Sequence, residues 1–526
     1  MNPPLNLSPK RMAFLASTLL LTATGFTCRV LGFFYRIFLS RTIGAEGLGV
    51  YQMMHPVFGI CFGLCAGSIQ TALSQYIAAN TQKSRRIFHT GLLISMGISL
   101  TLAGLICRFS TFLAEAVLLA PSCAGYLPLI AVSVPFAALH ACINGYYYGM
   151  QRSRVPAFSQ VAEQVLRMTL VFLIASSWMA RGREITVLLA VLGHLLGEIA
   201  SAAFTLICLF LIPPKPAEGS ASAPSFGSNP GSASAPGSGA DARALMGLAL
   251  PLMASRLVLN LLSSAEAVWL PSCLQATGMS GAEAFSVYGV LTGMAMPFIL
   301  FPSAITNSMA VLLLPSVAEA QAQGQERSIS SYIALSLRYS LYMGILCIGV
   351  FVLFGGALGA SVFHEPEAGR FIQILAWLCP FLYLSTTLGS ILNGLGLTRT
   401  TFLQNTSALL LRISFVLLFV PRFGITAYLW GMLASELFLA LLHLWSLSRR
   451  VPILWNAWDM IAKPAAFLLA AVGIHFFFCG LVPVIGWLPP FLDTAVRILH
   501  FAAWYGGLLL AYHLARPHRA GAGGAG

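Results

Sequence analysis

Residues 29–51 read RVLGFFYRIFLSRTIGAEGLGVY and connect a long apolar segment to a motif that is rich in glycine. Arg29 and Arg36 stand seven residues apart, which is close to two helical turns, so their side chains lie on nearly the same face of a helix. A charged side chain near the bilayer centre costs at least about 2.5–3.5 kcal/mol. We therefore expect this face to turn toward protein or water and not toward lipid.

The whole chain has the composition of an integral membrane protein. Of its 526 residues, 58% are hydrophobic and 9% are charged, whereas soluble domains carry roughly 25% charged residues. This apolar surface cannot be hidden in a soluble fold, so we predict an all-α integral membrane protein with about fourteen transmembrane helices. The predicted spans lie near 12–40, 48–78, 87–108, 122–148, 155–180, 185–212, 244–270, 283–317, 330–356, 370–395, 401–421, 424–447, 461–484 and 494–515.

Residues 213–242 divide the predicted helices into six and eight. This segment is rich in Gly, Ser, Ala and Pro, has one aromatic residue, Phe226, and contains no Leu, Ile or Val, so it predicts a flexible linker. An internal repeat relates the two sides, because residues match at separations of 245 or 238 positions: Pro135 with Pro380, Gly149 with Gly394, Arg167 with Arg412, and Glu198 with Glu436. We predict two pseudo-symmetric six-helix lobes, at 1–212 and 243–448, with helices 13 and 14 and a cytoplasmic tail at 449–526.

The basic residues of the loops predict the orientation of the chain. Sixteen Lys and Arg fall in the loops that share a side with both termini, and seven fall in the others. The side with more positive charge is normally the cytoplasmic one, so we expect both termini in the cytoplasm of a bacterium, on a multi-pass protein of the cytoplasmic membrane.

Several classes of function find no support in the sequence. The eleven cysteines form no C-x-x-C pair, and the ten histidines match no metal-ligand spacing. Motifs of the G-x-S-x-G, H-E-x-x-H and P-loop types are missing, as are basic stretches interleaved with aromatic residues. We predict a secondary transporter and not an enzyme, with no catalytic residues, no metal site, no cofactor and no nucleic-acid partner. Na⁺ and H⁺ are the candidate coupling ions.

Arginines inside apolar segments are the best candidates for a binding site. Arg256, in the seventh span, occupies a place in the second half similar to that of Arg29 in the first. We predict that Arg29, Arg36 and Arg256 line a positive, water-filled cavity. The planar guanidinium donates two parallel hydrogen bonds and suits a diphosphate. Structural pairing with acids or carbonyls, or extension of the side chains to the membrane surface, is the alternative interpretation.

Four acidic residues inside apolar segments are candidates for ion coupling or for balancing the arginine charge: Glu163, Glu198, Glu266 and Glu436. Glu163 stands four residues before Arg167, which predicts a structural ion pair on one helix. Arg412 has no acid at this spacing, so its partner is expected on another helix. Glycines and prolines in the second and eighth spans predict either interrupted, moving helices or close packing of small residues.

Residues 27–58, TCRVLGFFYRIFLSRTIGAEGLGVYQMMHPVF, resemble the start of the stage V sporulation protein B family of polysaccharide-biosynthesis flippases. This family belongs to the multidrug/oligosaccharidyl-lipid/polysaccharide exporter superfamily. The pattern is carried by Arg29, Leu31, Gly32, Phe33, Arg36, Arg41, Thr42, Ile43, Gly44, Ala45, Glu46, Gly47, Gly49 and Tyr51. Over the remainder of the chain the similarity is mainly topological.

The resemblance implies a V-shaped, two-lobed transporter that flips undecaprenyl-diphosphate-linked saccharides such as the peptidoglycan precursor lipid II, here for spore cortex. It implies that Arg29 and Arg256 face the cavity. Arg36 fits the sporulation-type pattern, whereas the broader flippase pattern has its arginine one place earlier, at Tyr35. The expected partners are a lipid-linked anionic saccharide and membrane lipids, with cell-wall synthesis enzymes as further candidates.

Two other functions stay open at this point. A Na⁺- or H⁺-coupled multidrug exporter of the same superfamily would have an acid-dominated cavity and cationic substrates. A membrane scaffold for cell-wall synthesis would transport nothing and would tolerate replacement of the cavity arginines.

Overall fold

A computed structural model of the chain describes residues 9–214, 238–481 and 489–515. The described residues form helices and no strands. The long helices are α1 Pro9–Gln52, α2 His55–Ala79, α3 Thr81–Arg108, α4 Leu127–Gly149, α5 Arg154–Ala180, α6 Val187–Leu211, α7 Ser238–Gln275, α8 Gly281–Leu300, α9 Ser303–Ala322, α10 Glu326–Phe363, α11 Pro366–Gly394, α12 Thr398–Leu418, α13 Ile425–Ser448, α14 Trp458–Phe478 and α15 Pro490–Ala515. Most of the predicted linker at 213–242 lies outside the described residues.

Fourteen of these helices, α2–α15, are long and apolar enough to cross a membrane, as judged over the described residues. The predicted fold class, an all-α membrane protein with about fourteen spans, is confirmed. One predicted span is wrong: the single span at 283–317 corresponds to two separate helices, α8 and α9. Pro302 stands between them, where its ring and missing N–H interrupt helical hydrogen bonding. The first predicted span, at 12–40, begins among residues whose side chains the structure does not describe, so it stays a prediction.

Helix α1 is broken at Gly44, inside the glycine-rich motif at residues 29–51. Gly44 has φ 72° and ψ 179°, a conformation that residues with a Cβ rarely adopt. Beyond the break, α1 crosses α8 so closely that a Cβ on Gly49 would overlap the carbonyl of Phe285. A Cβ on Gly289 would likewise overlap the carbonyl of Ala45. Gly49 of the motif and Gly289 of α8 therefore permit this close crossing.

Helices α2 and α8 each contain a π-helical segment, Gly63–Gly67 and Val290–Ala295. Such segments widen the helix locally and occur often at functional sites. Interruption is one of the two interpretations that the glycines and prolines of the second and eighth predicted spans allow, the other being close packing of small residues.

Contacts between residues divide the chain into two compact units. Unit 1 consists of residues 1–293 and 409–428, and unit 2 consists of residues 294–408 and 429–526. The core of unit 1 includes Ile69 and Leu73 of α2 and Tyr147 of α4, and that of unit 2 includes Ile333, Leu337 and Ile391.

The compact units do not coincide with the lobes predicted from the repeat. Helix α7, which the repeat assigns to the second lobe, contacts α2 and α3 and groups with unit 1. Unit boundaries follow contacts, whereas the predicted lobes follow sequence matches, so the lobes at 1–212 and 243–448 stay a prediction.

Candidate anion-binding site

Arg36 lies on α1, eight residues before the break at Gly44, and is half-buried. Its Nη1 donates a hydrogen bond of 3.1 Å to the carbonyl oxygen of Thr292. Thr292 belongs to the π-helical segment of α8, where the regular pattern of helical hydrogen bonds changes. The interruption of α8 thus provides a backbone acceptor for an arginine on a neighbouring helix.

Arg256 lies on α7 against the glycines of α2. Its Nη2 donates to the hydroxyl of Thr71 at 3.2 Å. One turn further along α7, Asn260 Nδ2 donates to the carbonyl of Gly59 at 2.8 Å. A Cβ on Gly63 would lie 2.8 Å from Asn260 Nδ2, and a Cβ on Gly67 would overlap Arg256 Nη1. Gly63 and Gly67, four residues apart on α2, therefore make room for two polar side chains of α7, and Gly59 supplies a carbonyl acceptor.

This glycine groove, defined as Gly59, Gly63 and Gly67 of α2, was not assigned to Arg256 by sequence reasoning. The four-residue spacing indicated only a row of small residues on one helix face. Asn260, four residues after Arg256, was missed although it presents a second polar group on the same face of α7.

Arg29 lies on α1 and is exposed. All three predicted cavity arginines belong to unit 1, but Arg36 and Arg256 contact different helices and share no acceptor. In the part of the chain that the structure describes, neither Arg36 nor Arg256 forms an ion pair with a carboxylate. Both guanidinium groups are therefore held by neutral oxygen atoms, and no carboxylate among the described residues is paired with them.

Arg167 on α5 has the opposite environment. It forms an ion pair with Glu163 one turn earlier, and its Nη2 lies 4.0 Å from Glu198 Oε1 of α6. Glu198 Oε2 lies 2.9 Å from His140 Nε2 of α4. His194, on the same helix as Glu198, is also buried. We refer to Glu163, Arg167, Glu198 and His140 as the Glu198 cluster.

Arg412 on α12 also pairs with an acid. Its Nε lies 2.7 Å from Glu266 Oε1 of α7, and the hydroxyl of Tyr428 donates to the same oxygen at 2.6 Å. The expectation that the partner of Arg412 comes from another helix is confirmed. Glu266 is 6% exposed, so this contact places it where it balances a buried charge.

Glu436, the repeat partner of Glu198, lies in unit 2 and is half-buried. Ser385 Oγ donates to Glu436 Oε2 at 3.1 Å. The sixth arginine of the apolar segments, Arg338, lies 3.3 Å from Asp459, which also binds Lys463 at 2.6 Å. Asp459 was not among the predicted acids because it lies between two predicted spans.

The described residues contain no group of three or more His, Cys, Asp or Glu side chains arranged to hold a metal ion. The site is therefore a set of charges and hydrogen-bond donors on helices, with Arg36 and Arg256 as its cationic part. Such groups can bind an anion without forming a covalent bond to it.

Comparison with known families decides where the chain belongs. The family model described as polysaccharide biosynthesis protein matches residues 14–321. The chain belongs to the polysaccharide biosynthesis protein family. The match includes α1, α7 and both π-helical segments, so every predicted cavity arginine lies inside it.

A curated relative from Bacillus subtilis (strain 168), stage V sporulation protein B, is 28% identical to this family member over 463 residues. The alignment covers 84% of the present chain and 85% of the relative. The resemblance seen in residues 27–58 thus extends over most of the sequence.

Two solved structures share the fold. The lipid II flippase MurJ in an inward closed conformation gives a TM-score of 0.70 at 14% identity, over 95% of this chain and 100% of that one. An inward-facing multidrug resistance MATE transporter of the MOP superfamily gives 0.61 at 14% identity, over 81% and 94%. The family member therefore has the fold of multi-pass membrane transporters and flippases of this superfamily.

Proposed function

We propose that the protein is a flippase that moves a prenyl-diphosphate-linked saccharide across the bacterial cytoplasmic membrane by alternating access. The observation that carries the proposal is the environment of Arg36 and Arg256. Both are arginines of apolar helices, and both are held by neutral acceptors within the described residues. A diphosphate can form charge-assisted hydrogen bonds with such groups without displacing a resident carboxylate.

The relatives support a particular substrate. One solved neighbour is a lipid II flippase, and one curated relative is a sporulation protein. We propose a lipid II-like peptidoglycan precursor as substrate, with spore cortex as its destination. Both termini are assigned to the cytoplasm on the basis of loop charge. The prenyl chain stays in lipid, and cell-wall synthesis enzymes are candidate partners that would supply or use the headgroup.

A multidrug exporter is the second candidate, because a MATE transporter shares the fold. Its cationic substrates would need acids that are available for binding. In unit 1, the acids predicted for this purpose are in contact with arginines: Glu163 and Glu198 with Arg167, and Glu266 with Arg412. Charge balance thus favours an anionic substrate over a cationic one.

We propose that protons are the ions that couple transport to a gradient, and that the Glu198 cluster carries them. Glu198 and His140 share a buried hydrogen bond across two helices, and Arg167 and Glu163 face the same pair. A carboxylate and an imidazole in contact can exchange a proton. Glu266 is a weaker candidate because Arg412 and Tyr428 already occupy its Oε1.

A transport assay in proteoliposomes tests the proposed function. Labelled lipid II is incorporated, and its movement across the bilayer is compared with uptake of ethidium, a cationic drug. We expect lipid II movement by the natural protein, retention of much of it in Arg36→Lys, and loss of about tenfold or more in Arg36→Gln. Ethidium transport without lipid II movement would favour the exporter, and no transport of either would favour a scaffold.

A further inference from the structure

Unit 2 contains a cavity of about 360 Å³ between α11, α12 and α13. Its walls carry hydroxyl groups, amides, a carboxylate and an imidazole, and they include Ser385, Thr386, Ser390, Asn393, Glu436 and His443. None of these residues belongs to the candidate anion-binding site. A polar cavity between apolar helices is expected to bind a polar ligand or water, because bare polar walls are unfavourable there.

The hydroxyl groups of the cavity present acceptors, since their hydrogens are used elsewhere. Thr386 Oγ1 donates to the carbonyl of Leu382 at 2.8 Å, and Ser390 Oγ donates to the carbonyl of Ala310. A hydroxyl has one hydrogen and two lone pairs. Each of these oxygens can therefore only accept a further hydrogen bond.

His443 adds another acceptor to the same cavity. Gln404 Nε2 donates to the carbonyl of Leu442 at 3.0 Å. Because a carbonyl can only accept, this contact fixes the orientation of the Gln404 amide. Gln404 Oε1 therefore faces His443 Nδ1 at 2.8 Å. The hydrogen of the neutral imidazole is thus on Nδ1. Nε2 keeps its lone pair and faces α11, where a Cβ on Gly389 would lie 3.1 Å from it.

Glu436 completes the set of acceptors. It stands seven residues before His443 on α13, so the two groups lie on one face and about 10 Å apart at 1.5 Å per residue. The acceptors are thus spread over about two turns of α13, which suits an extended molecule with several hydrogen-bond donors.

We propose that this cavity binds the hydroxyl-bearing sugar part of the transported saccharide. The inference rests on the proposed function, and it assigns the uncharged part of the substrate to a site of its own. Sugar hydroxyls donate to acceptors at spacings of a few ångströms, which suits a wall of hydroxyl oxygens between a carboxylate and an imidazole. The lining residues offer acceptors for hydroxyl groups and include no Lys or Arg to bind a phosphate, so the cavity suits the saccharide better than the diphosphate.

The test measures binding of two lipids to the purified full-length protein in detergent. Lipid II carries the saccharide, and undecaprenyl diphosphate lacks it. We expect the natural protein to bind lipid II at least tenfold more tightly. Glu436→Gln and Thr386→Val should each reduce this preference several-fold and leave binding of undecaprenyl diphosphate within twofold.

Thr406→Val is the matched control. The Thr406 hydroxyl donates to the carbonyl of Phe402 at 2.9 Å, as Thr386 does to Leu382, but Thr406 does not line the cavity. This variant should keep the full preference for lipid II. An unchanged preference in both Glu436→Gln and Thr386→Val, or an equal loss for the two lipids, overturns the inference.

A third ligand separates failure of the inference from failure of the proposed function. N-acetylglucosamine has neither lipid nor phosphate and is tested at millimolar concentration beside Na⁺ and spermidine. If neither lipid binds, but the sugar binds and Thr386→Val weakens its binding, the flippase proposal fails and the saccharide site stands. If Na⁺ or spermidine binds and Thr386→Val weakens that binding, or if the sugar does not bind, the saccharide site is overturned.

Discussion

Two pairs of arginines in unit 1 stand in similar apolar helices and have opposite electrostatic environments. Arg167 and Arg412, the ion-paired arginines, lie against buried acids. Arg36 and Arg256, the neutral-acceptor arginines, lie against a carbonyl and a hydroxyl. A guanidinium that already has a carboxylate gains little from an incoming phosphate, whereas one held by neutral oxygens gains a full charge interaction. Residue type alone therefore does not identify the binding arginines.

The largest expected effect concerns the stability of the ion-paired arginines. Glu266→Gln removes the buried carboxylate that lies 2.7 Å from Arg412 Nε and accepts from Tyr428, and breaking such a pair costs about 3 kcal/mol or more. We expect a marked drop in the midpoint of thermal unfolding in detergent. The double variant Glu266→Leu with Arg412→Leu removes both charges and should recover most of the loss. Failure of the double variant to recover would mean that the pair has a role beyond charge balance.

The next effect separates transport from stability at a neutral-acceptor arginine. Arg256→Gln should slow lipid II movement in proteoliposomes by about ten- to a hundredfold, which corresponds to about 1.4–2.8 kcal/mol of lost interaction. Its unfolding midpoint should change little, because the Thr71 hydroxyl still donates to the carbonyl of Gly67 at 2.9 Å. Arg256→Lys should retain more activity than Arg256→Gln. The exposed Arg327→Gln is the control for a simple loss of positive charge.

A smaller effect is expected from moving Arg256 without removing its charge. Gly67→Ala places a methyl group where Arg256 Nη1 lies, so the guanidinium must shift. We expect lipid II movement to fall by about tenfold, the equivalent of about 1.4 kcal/mol. Gly104→Ala on α3 is the matched control, since a Cβ there meets no atom within 4 Å. Equal activity of the two alanine variants would remove the glycine groove from the account.

The smallest effect distinguishes the two ion-paired arginines from each other. Glu163 shares Arg167 with Glu198, whose Oε1 lies 4.0 Å from the same Nη2. Glu163→Gln should therefore cost only about 1 kcal/mol, since Glu198 still compensates the charge. Thermal unfolding of Glu163→Gln and Glu266→Gln side by side gives the difference. A larger loss for Glu163→Gln would contradict this ranking.

The general fold could be predicted from the sequence because apolar length and loop charge are local properties. The split between α8 and α9 was missed, since Pro302 stands inside an apolar stretch that looks continuous in composition. The break of α1 at Gly44 could have been suspected from its glycine, but only the dihedral angles show it.

The candidate site was predictable only in part. The spacing of Glu163 and Arg167 pointed to their contact because both lie on one helix. The contact of Arg412 with Glu266 joins residues 146 positions apart, and no spacing rule reveals such a partner. The same holds for Thr292, whose carbonyl accepts from Arg36 because of the π-helical segment around it.

The central claim is that Arg36 and Arg256 bind the phosphates of the substrate. The most direct measurement is the affinity of the purified protein for undecaprenyl diphosphate and for undecaprenol, which has no phosphate, in the natural protein and in Arg256→Gln. The account predicts that Arg256→Gln weakens binding of the diphosphate by about tenfold or more and leaves binding of undecaprenol unchanged. An equal loss for both lipids, or no loss for the diphosphate, would contradict it.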